Sequence, residues 1–151
     1  MHVGWTFLDT ADAAVKALTA YEGMKNIIEN TPEEMIGVER QMTSLRSPVY
    51  SGLPHSPNPK SGESRLLSGI DRLDLLKARY QQAQEYMDWF RPAWNGLKED
   101  DRYVLKMFFV NAKEPDAVGA VAEHFGVERT SAYTKRKRAI KRLAMLLYGR
   151  E

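Results

Sequence analysis

Asp116-Ala-Val-Gly-Ala-Val-Ala-Glu-His-Phe-Gly-Val-Glu-Arg-Thr-Ser-Ala-Tyr-Thr-Lys-Arg-Lys-Arg-Ala-Ile-Lys-Arg-Leu143 decides the fold of the C-terminal part of this 151-residue chain. It reads as a short apolar helix, a tight turn at Gly126 and a second helix loaded with cations. Ala122 supplies the small residue needed where the helices cross, and Gly126 takes a positive φ at little cost. Val121, Phe125 and Val127 flank the crossing as its apolar filling. Ala132, Ala139, Ile140 and Leu143 recur at helical spacing and mark the buried stripe of the second helix.

With about 100° per residue, Thr130, Thr134, Lys137 and Lys141 fall opposite Ala132 and face outward. Arg129, Tyr133 and Arg138 flank that face. Between Glu128 and Arg150 stand eight Lys/Arg and one acid, a local net of +7, against +2 for the whole chain. Such asymmetry says more about partners than the bulk charge does. A cationic helix following a short helix and a glycine turn is the pattern of a helix-turn-helix, whose second helix lies in the major groove of DNA. The expected DNA-contacting residues are Arg129, Thr130, Ser131, Tyr133, Thr134, Arg136, Lys137, Arg138 and Lys141. Hydroxyls and the aromatic near the helix start suit base edges, and the later cations suit phosphates. Taken alone, a run such as Lys135-Arg136-Lys137-Arg138 is as readily a solvated helix face. Its register with the apolar stripe and the Ala122/Gly126 turn favours the DNA reading.

From Leu97 to Tyr148 the chain resembles region 4 of the sigma-70 family. The residues that carry the likeness are Leu97-Lys-Glu-Asp-Asp-Arg102-Tyr-Val104-Leu105, then Val121-Ala122-Glu123-His124-Phe125-Gly126-Val127, then Arg138-Ala139-Ile140-Lys141-Arg142-Leu143. The layout as a whole is similar to phage and prophage late-gene regulators of the RinA/ArpU type. There, a helical half precedes a sigma-4-like tail, as Leu45-Arg46-Ser47-Pro48, a Pro/Gly/Ser loop and a long helix do here. The resemblance implies a DNA-binding transcription regulator with double-stranded DNA as partner and RNA polymerase as a further candidate. Two positions depart from the family pattern. Glu128 stands where Ser or Thr usually caps the recognition helix, which lets the helix start slide to Thr130; Glu114-Pro115-Asp116 replaces the usual Ser or Thr before the preceding helix. Pro115 at the first helical position or Asp116 as cap is physically adequate.

The rest of the chain is also read as helical, giving an all-α protein: a long-helix hairpin or coiled-coil-like half over 1–96 and the helix-turn-helix bundle over 97–151. Asp9 or Thr10 caps a helix running to Glu29, with Ala14, Leu18, Tyr21 and Ile28 on one side. Thr31, Pro32 and Glu34 have the spacing of a capping box, which predicts a break there and a second helix carrying Met35, Val38, Met42 and Leu45. Residues 46–64, rich in Pro, Gly and Ser, predict a loop. A long helix is expected from Glu63 to Trp94, striped by Leu66, Ile70, Leu73, Leu76, Tyr80, Ala83, Met87, Phe90 and Trp94, and ended by Asn95-Gly96. Its stripe packs against the two preceding helices or against a second copy of the chain, and a homodimer would suit palindromic half-sites. Asp100 and Asp101 favour the dipole at the start of the next helix, which carries Val104, Leu105, Phe108 and Phe109.

Composition narrows the remaining classes. Hydrophobic residues make up 43% of the chain, enough for a modest core. The absence of cysteine excludes disulfides and thiolate metal sites and fits a reducing cytosol. Met1-His-Val-Gly-Trp-Thr-Phe-Leu does not read as a signal peptide, and no apolar run has membrane-span length, so a soluble cytoplasmic protein is expected. His2, His55 and His124 lack ligand spacing, and His124 reads as structural or DNA-flanking. Glu33-Glu34 and Asp100-Asp101 fall in helix first turns, where capping accounts for them. No catalytic motif, metal site or cofactor loop stands out, so no enzyme activity is expected. Residues 1–96 carry 10 cations against 12 acids and lack the aromatic-rich promoter-melting region of a complete sigma factor. A small-terminase-like packaging oligomer is the alternative DNA-binding reading, and a module binding an acidic protein partner is the third.

Overall fold

The computed structural model describes residues 9–46, 59–111 and 113–149. Among them the protein is all-α, with six α-helices and no strand: α1 (Thr10–Thr19), α2 (Tyr21–Arg46), α3 (Pro59–Gly96), α4 (Glu99–Leu105), α5 (Ala117–Phe125) and α6 (Arg129–Tyr148). A π-helical turn, Lys106–Val110, extends α4 and is closed by the Asn111 N–H donating to the Lys106 carbonyl at 2.7 Å.

Three expected boundaries move. The first break falls at Ala20 rather than at residues 30–34, and α2 runs straight through Pro32. At Ala20 the Lys16 carbonyl receives both the Ala20 N–H and the Thr19 hydroxyl, a side-chain bond that competes with continuation of the helix. Thr31 does not start a helix; it is buried, in line with Ile28, Met35, Val38 and Met42 on one face. A proline inside a helix costs about 3 kcal/mol, and burial along an uninterrupted stripe offsets it. At the other end α3 begins at Pro59, so residues 59–64 are helical and not loop. Proline is well suited to a first turn because its missing N–H has no partner there anyway. The remainder of the expected loop, 47–58, lies outside the described residues, as do the expectations for the first eight residues and His55.

The chain forms two compact units, Met24–Glu85 and a discontinuous one made of Met1–Gly23 with Tyr86–Glu151. The division falls inside α2 and α3.

The first unit is a hairpin of α2 against α3. Met42 of α2 lies over Gly69 of α3, and a Cβ on that glycine would stand 2.7 Å from Met42 Cγ. Among the described residues Val38, Leu76 and Ala83 are its buried apolar ones, while Leu45 and Ile70 of the expected stripes stay exposed.

The second unit has a fuller core. Ala14 and Leu18 of α1, Phe90 and Ala93 of α3, Leu97, Val104 and Leu105 meet Val121 and Ala122 of α5 and five residues of α6: Ala132, Ala139, Leu143, Ala144 and Leu147. α1 packs along α6, and the alanines at 14, 139 and 144, all fully buried, permit the close approach. Tyr86 donates its hydroxyl to the Ala17 carbonyl, and burial holds the phenol well above its ordinary pKa. Tyr86, Phe90 and Trp94 stack in sequence along α3, with ring centroids 5.3 and 5.9 Å apart.

Candidate nucleic-acid interface

The turn between α5 and α6 is built from backbone hydrogen bonds. Gly126 adopts φ 63° and ψ 40°, the left-handed conformation that glycine takes without a Cβ penalty. Its N–H donates to the Glu123 carbonyl at 3.2 Å, and the Val127 N–H reaches back to Ala122 at 2.9 Å. This is the Schellman arrangement, which satisfies two carbonyls at the end of α5. Val121 and Ala122 are buried at the crossing, facing Ala132, which has no exposed surface.

Both helix starts are set by Asp116. Its Oδ1 accepts from the Gly119 N–H at 3.0 Å, making it the N-cap of α5. The same carboxylate receives a two-pronged ion pair from Arg129, with NH1 2.9 Å from Oδ2 and NH2 3.1 Å from Oδ1. Arg129 is the first residue of α6, so one carboxylate caps one helix and clasps the next. The Arg129 guanidinium and then the Gly119 N–H hold the Asp116 carboxyl below its ordinary pKa. A Cβ on Gly119 would collide with the Asp116 carboxylate and stand 3.2 Å from Arg129 NH1, so the clasp requires glycine there. The clasp also bears on the start of α6. Glu128 sits at the N-cap without a side-chain capping bond, yet the helix begins at Arg129 and does not slide to Thr130.

A second ion pair ties α6 to α4. Arg142 NH1 lies 2.6 Å from Asp101 Oδ1, and the aspartate side chain is 9% exposed. Asp101 is thus an anchor for α6 as well as a first-turn carboxylate. Two further cations lie over aromatic faces: Lys135 is 4.4 Å from the Phe125 centroid, and Arg136 is 5.1 Å from those of Phe108 and Tyr133. His124 stacks on Tyr103 with centroids 3.9 Å apart.

The cations of α6 therefore sort into two sets. Arg129, Lys135, Arg136 and Arg142 are engaged with the scaffold. Lys137, Arg138 and Lys141 are exposed and form no ion pair among the described residues. Thr130 and Thr134 are exposed beside them, the Thr134 hydroxyl bonding back to the Thr130 carbonyl at 3.3 Å. Tyr133 is exposed along the flank, and Ser131 is half-buried, turned toward the scaffold side. The nine sequence-predicted residues thus lie on one helix, but only part of them present unengaged polar groups to solvent. Arg138 also lines a polar groove of about 240 Å³ in which Lys98, Lys135 and Arg142 stand with Asp100 and Asp101 of the acidic first turn of α4.

Sequence reading missed the two clasps. Their partners are 13 and 41 residues apart, so no local pattern announces them. A glycine three residues after the cap was the available signal for the first. Among the described residues no group of His, Cys, Asp or Glu is placed to hold a metal ion, and no helix is long and apolar enough to cross a membrane. No family model matches the chain, and no curated protein or solved structure is similar enough to count as a relative.

Proposed function

We propose that this protein is a sequence-specific regulator of transcription that lays α6 in the major groove of double-stranded DNA. The observation that carries the reading is the outward strip of α6. Thr130, Thr134, Lys137, Arg138 and Lys141 form a hydroxyl-then-cation face on a helix fixed at both ends of that strip by Asp116 and Asp101. Rigid presentation matters, because base readout depends on placing side chains to within a fraction of an ångström. The resemblance of residues 97–148 to sigma-70 region 4, and of the layout to phage late-gene regulators, supports the same reading.

In this mode Lys137, Arg138 and Lys141 neutralise phosphates, while Thr130 and Tyr133 meet base edges. Fluorescence anisotropy with a panel of genomic duplex fragments tests it. Binding should weaken steeply with salt, and Lys137→Ala or Lys141→Ala should lower the slope of log affinity against log salt by about one unit. Thr130→Ala or Tyr133→Ala should change the order of preferred fragments instead. Absence of salt-dependent binding to any duplex defeats the proposal. Identical behaviour of all four variants defeats the assignment of roles along α6.

A further inference from the structure

The α2–α3 hairpin holds a groove of about 650 Å³ that the DNA reading does not use. Its apolar side comes from α2, through Val38, Met42 and Leu45. Leu45 is 43% exposed, which leaves much of a large apolar side chain in water. The other side is cationic: Arg65 and Arg72 of α3, with Arg40 of α2 on the rim. No acidic residue lines the groove. That is a selective placement, because the unit Met24–Glu85 carries eight cations and eight acids in all. Its acids lie elsewhere while three arginines gather round one apolar wall.

We infer that this groove docks an acidic amphipathic helix of a protein partner. An apolar stripe on that helix would cover Val38, Met42 and Leu45, and flanking carboxylates would meet the three guanidinium groups. Arginine suits this task because its planar fork pairs with a carboxylate at two points. The groove then supplies a helix-in-groove contact with charge setting which helix enters and in which direction. The inference does not rest on DNA binding by α6, since the two sites share no residue.

The test uses the full chain and a fluorescein-labelled helical peptide of Leu, Ala and Glu, with a counterpart carrying Lys in place of Glu. The acidic peptide should bind and the basic one should not. The double variant Arg65→Glu/Arg72→Glu should weaken acidic-peptide binding about tenfold or more. Both arginines are exposed, and an unchanged circular dichroism melt will establish that the variant folds. Duplex binding should be the same in variant and wild type, which separates this site from α6. Three results overturn the inference. The peptide fails to bind; or binding survives Arg65→Glu/Arg72→Glu and is lost in Lys137→Ala/Lys141→Ala, which assigns it to α6; or light scattering shows a dimer that the arginine reversal dissolves, which assigns the groove to a second copy.

Discussion

The two compact units bury their stripes to very different extents. In the discontinuous unit fourteen buried residues from five helices and one connecting segment make a closed core, and Ala14, Leu105, Val121, Ala132, Ala139 and Ala144 have no exposed surface. In the hairpin, only Val38, Leu76 and Ala83 of the described apolar residues are buried, although its sequence stripes are as regular. Two helices can cover each other along one line but cannot enclose a side chain from all directions. A periodic stripe therefore predicts which face turns inward, while the depth of burial depends on whether a third element closes over it.

That contrast can be broken by truncating one residue from each unit. Leu105→Ala removes a fully buried side chain and should destabilise the protein by about 2–5 kcal/mol, read by urea denaturation. Ile70→Ala, at a position 38% exposed, should cost about 1 kcal/mol. Equal losses would mean that the hairpin is closed over by something the contrast omits.

A smaller effect is expected at Gly119. Alanine is the better helix former by about 0.5–1 kcal/mol, but here it displaces the Asp116 carboxylate and so disturbs both the cap of α5 and the Arg129 clasp. The second term wins, and Gly119→Ala should lower the thermal midpoint. A neutral or raised midpoint would show that Asp116 does not hold the start of α5.

Smallest is the pH dependence of the same clasp. Asp116 has a depressed folded pKa, because Arg129 and the Gly119 N–H favour the carboxylate. Its contribution is therefore present above the ordinary aspartate value of about 3.9 and is lost as pH falls through the folded value. Acid titration of wild type and Asp116→Asn should give stability curves that converge below that window. The exposure of both partners keeps the difference small, and parallel curves throughout would remove the clasp from the account.

The same contrast explains what sequence reading reached and what it did not. The succession of α5, the Gly126 turn and α6 was legible because its signals are local: Ala122 and Gly126 four apart, and the stripe through Ala132, Ala139 and Leu143. The outward placement of Thr130, Thr134, Lys137 and Lys141 followed from that stripe. The capping-box pattern at Thr31, Pro32 and Glu34 misled, because a local start signal was outweighed by the packing of the face that buries Thr31 and Val38. The proline-rich pattern likewise concealed the true start of α3 at Pro59. The engagement of Arg129 and Arg142 was illegible for a different reason. A cation and its carboxylate carry no mark of pairing until the fold brings them together, and four of the seven cations of α6 are fastened to the scaffold.

The packing of α1 along α6 has a consequence for how the molecule assembles. Ala14 and Leu18 are made well before the surface they cover, Ala139 and Ala144 among it. Closing so long a loop by diffusion alone is entropically slow. The α2–α3 hairpin shortens the search. Tyr21 near the start of α2 meets Phe90 near the end of α3, with ring centroids 5.6 Å apart, so zipping the hairpin gathers its two exits. A fragment beginning at Leu97 would expose the alanine face that α1 normally covers.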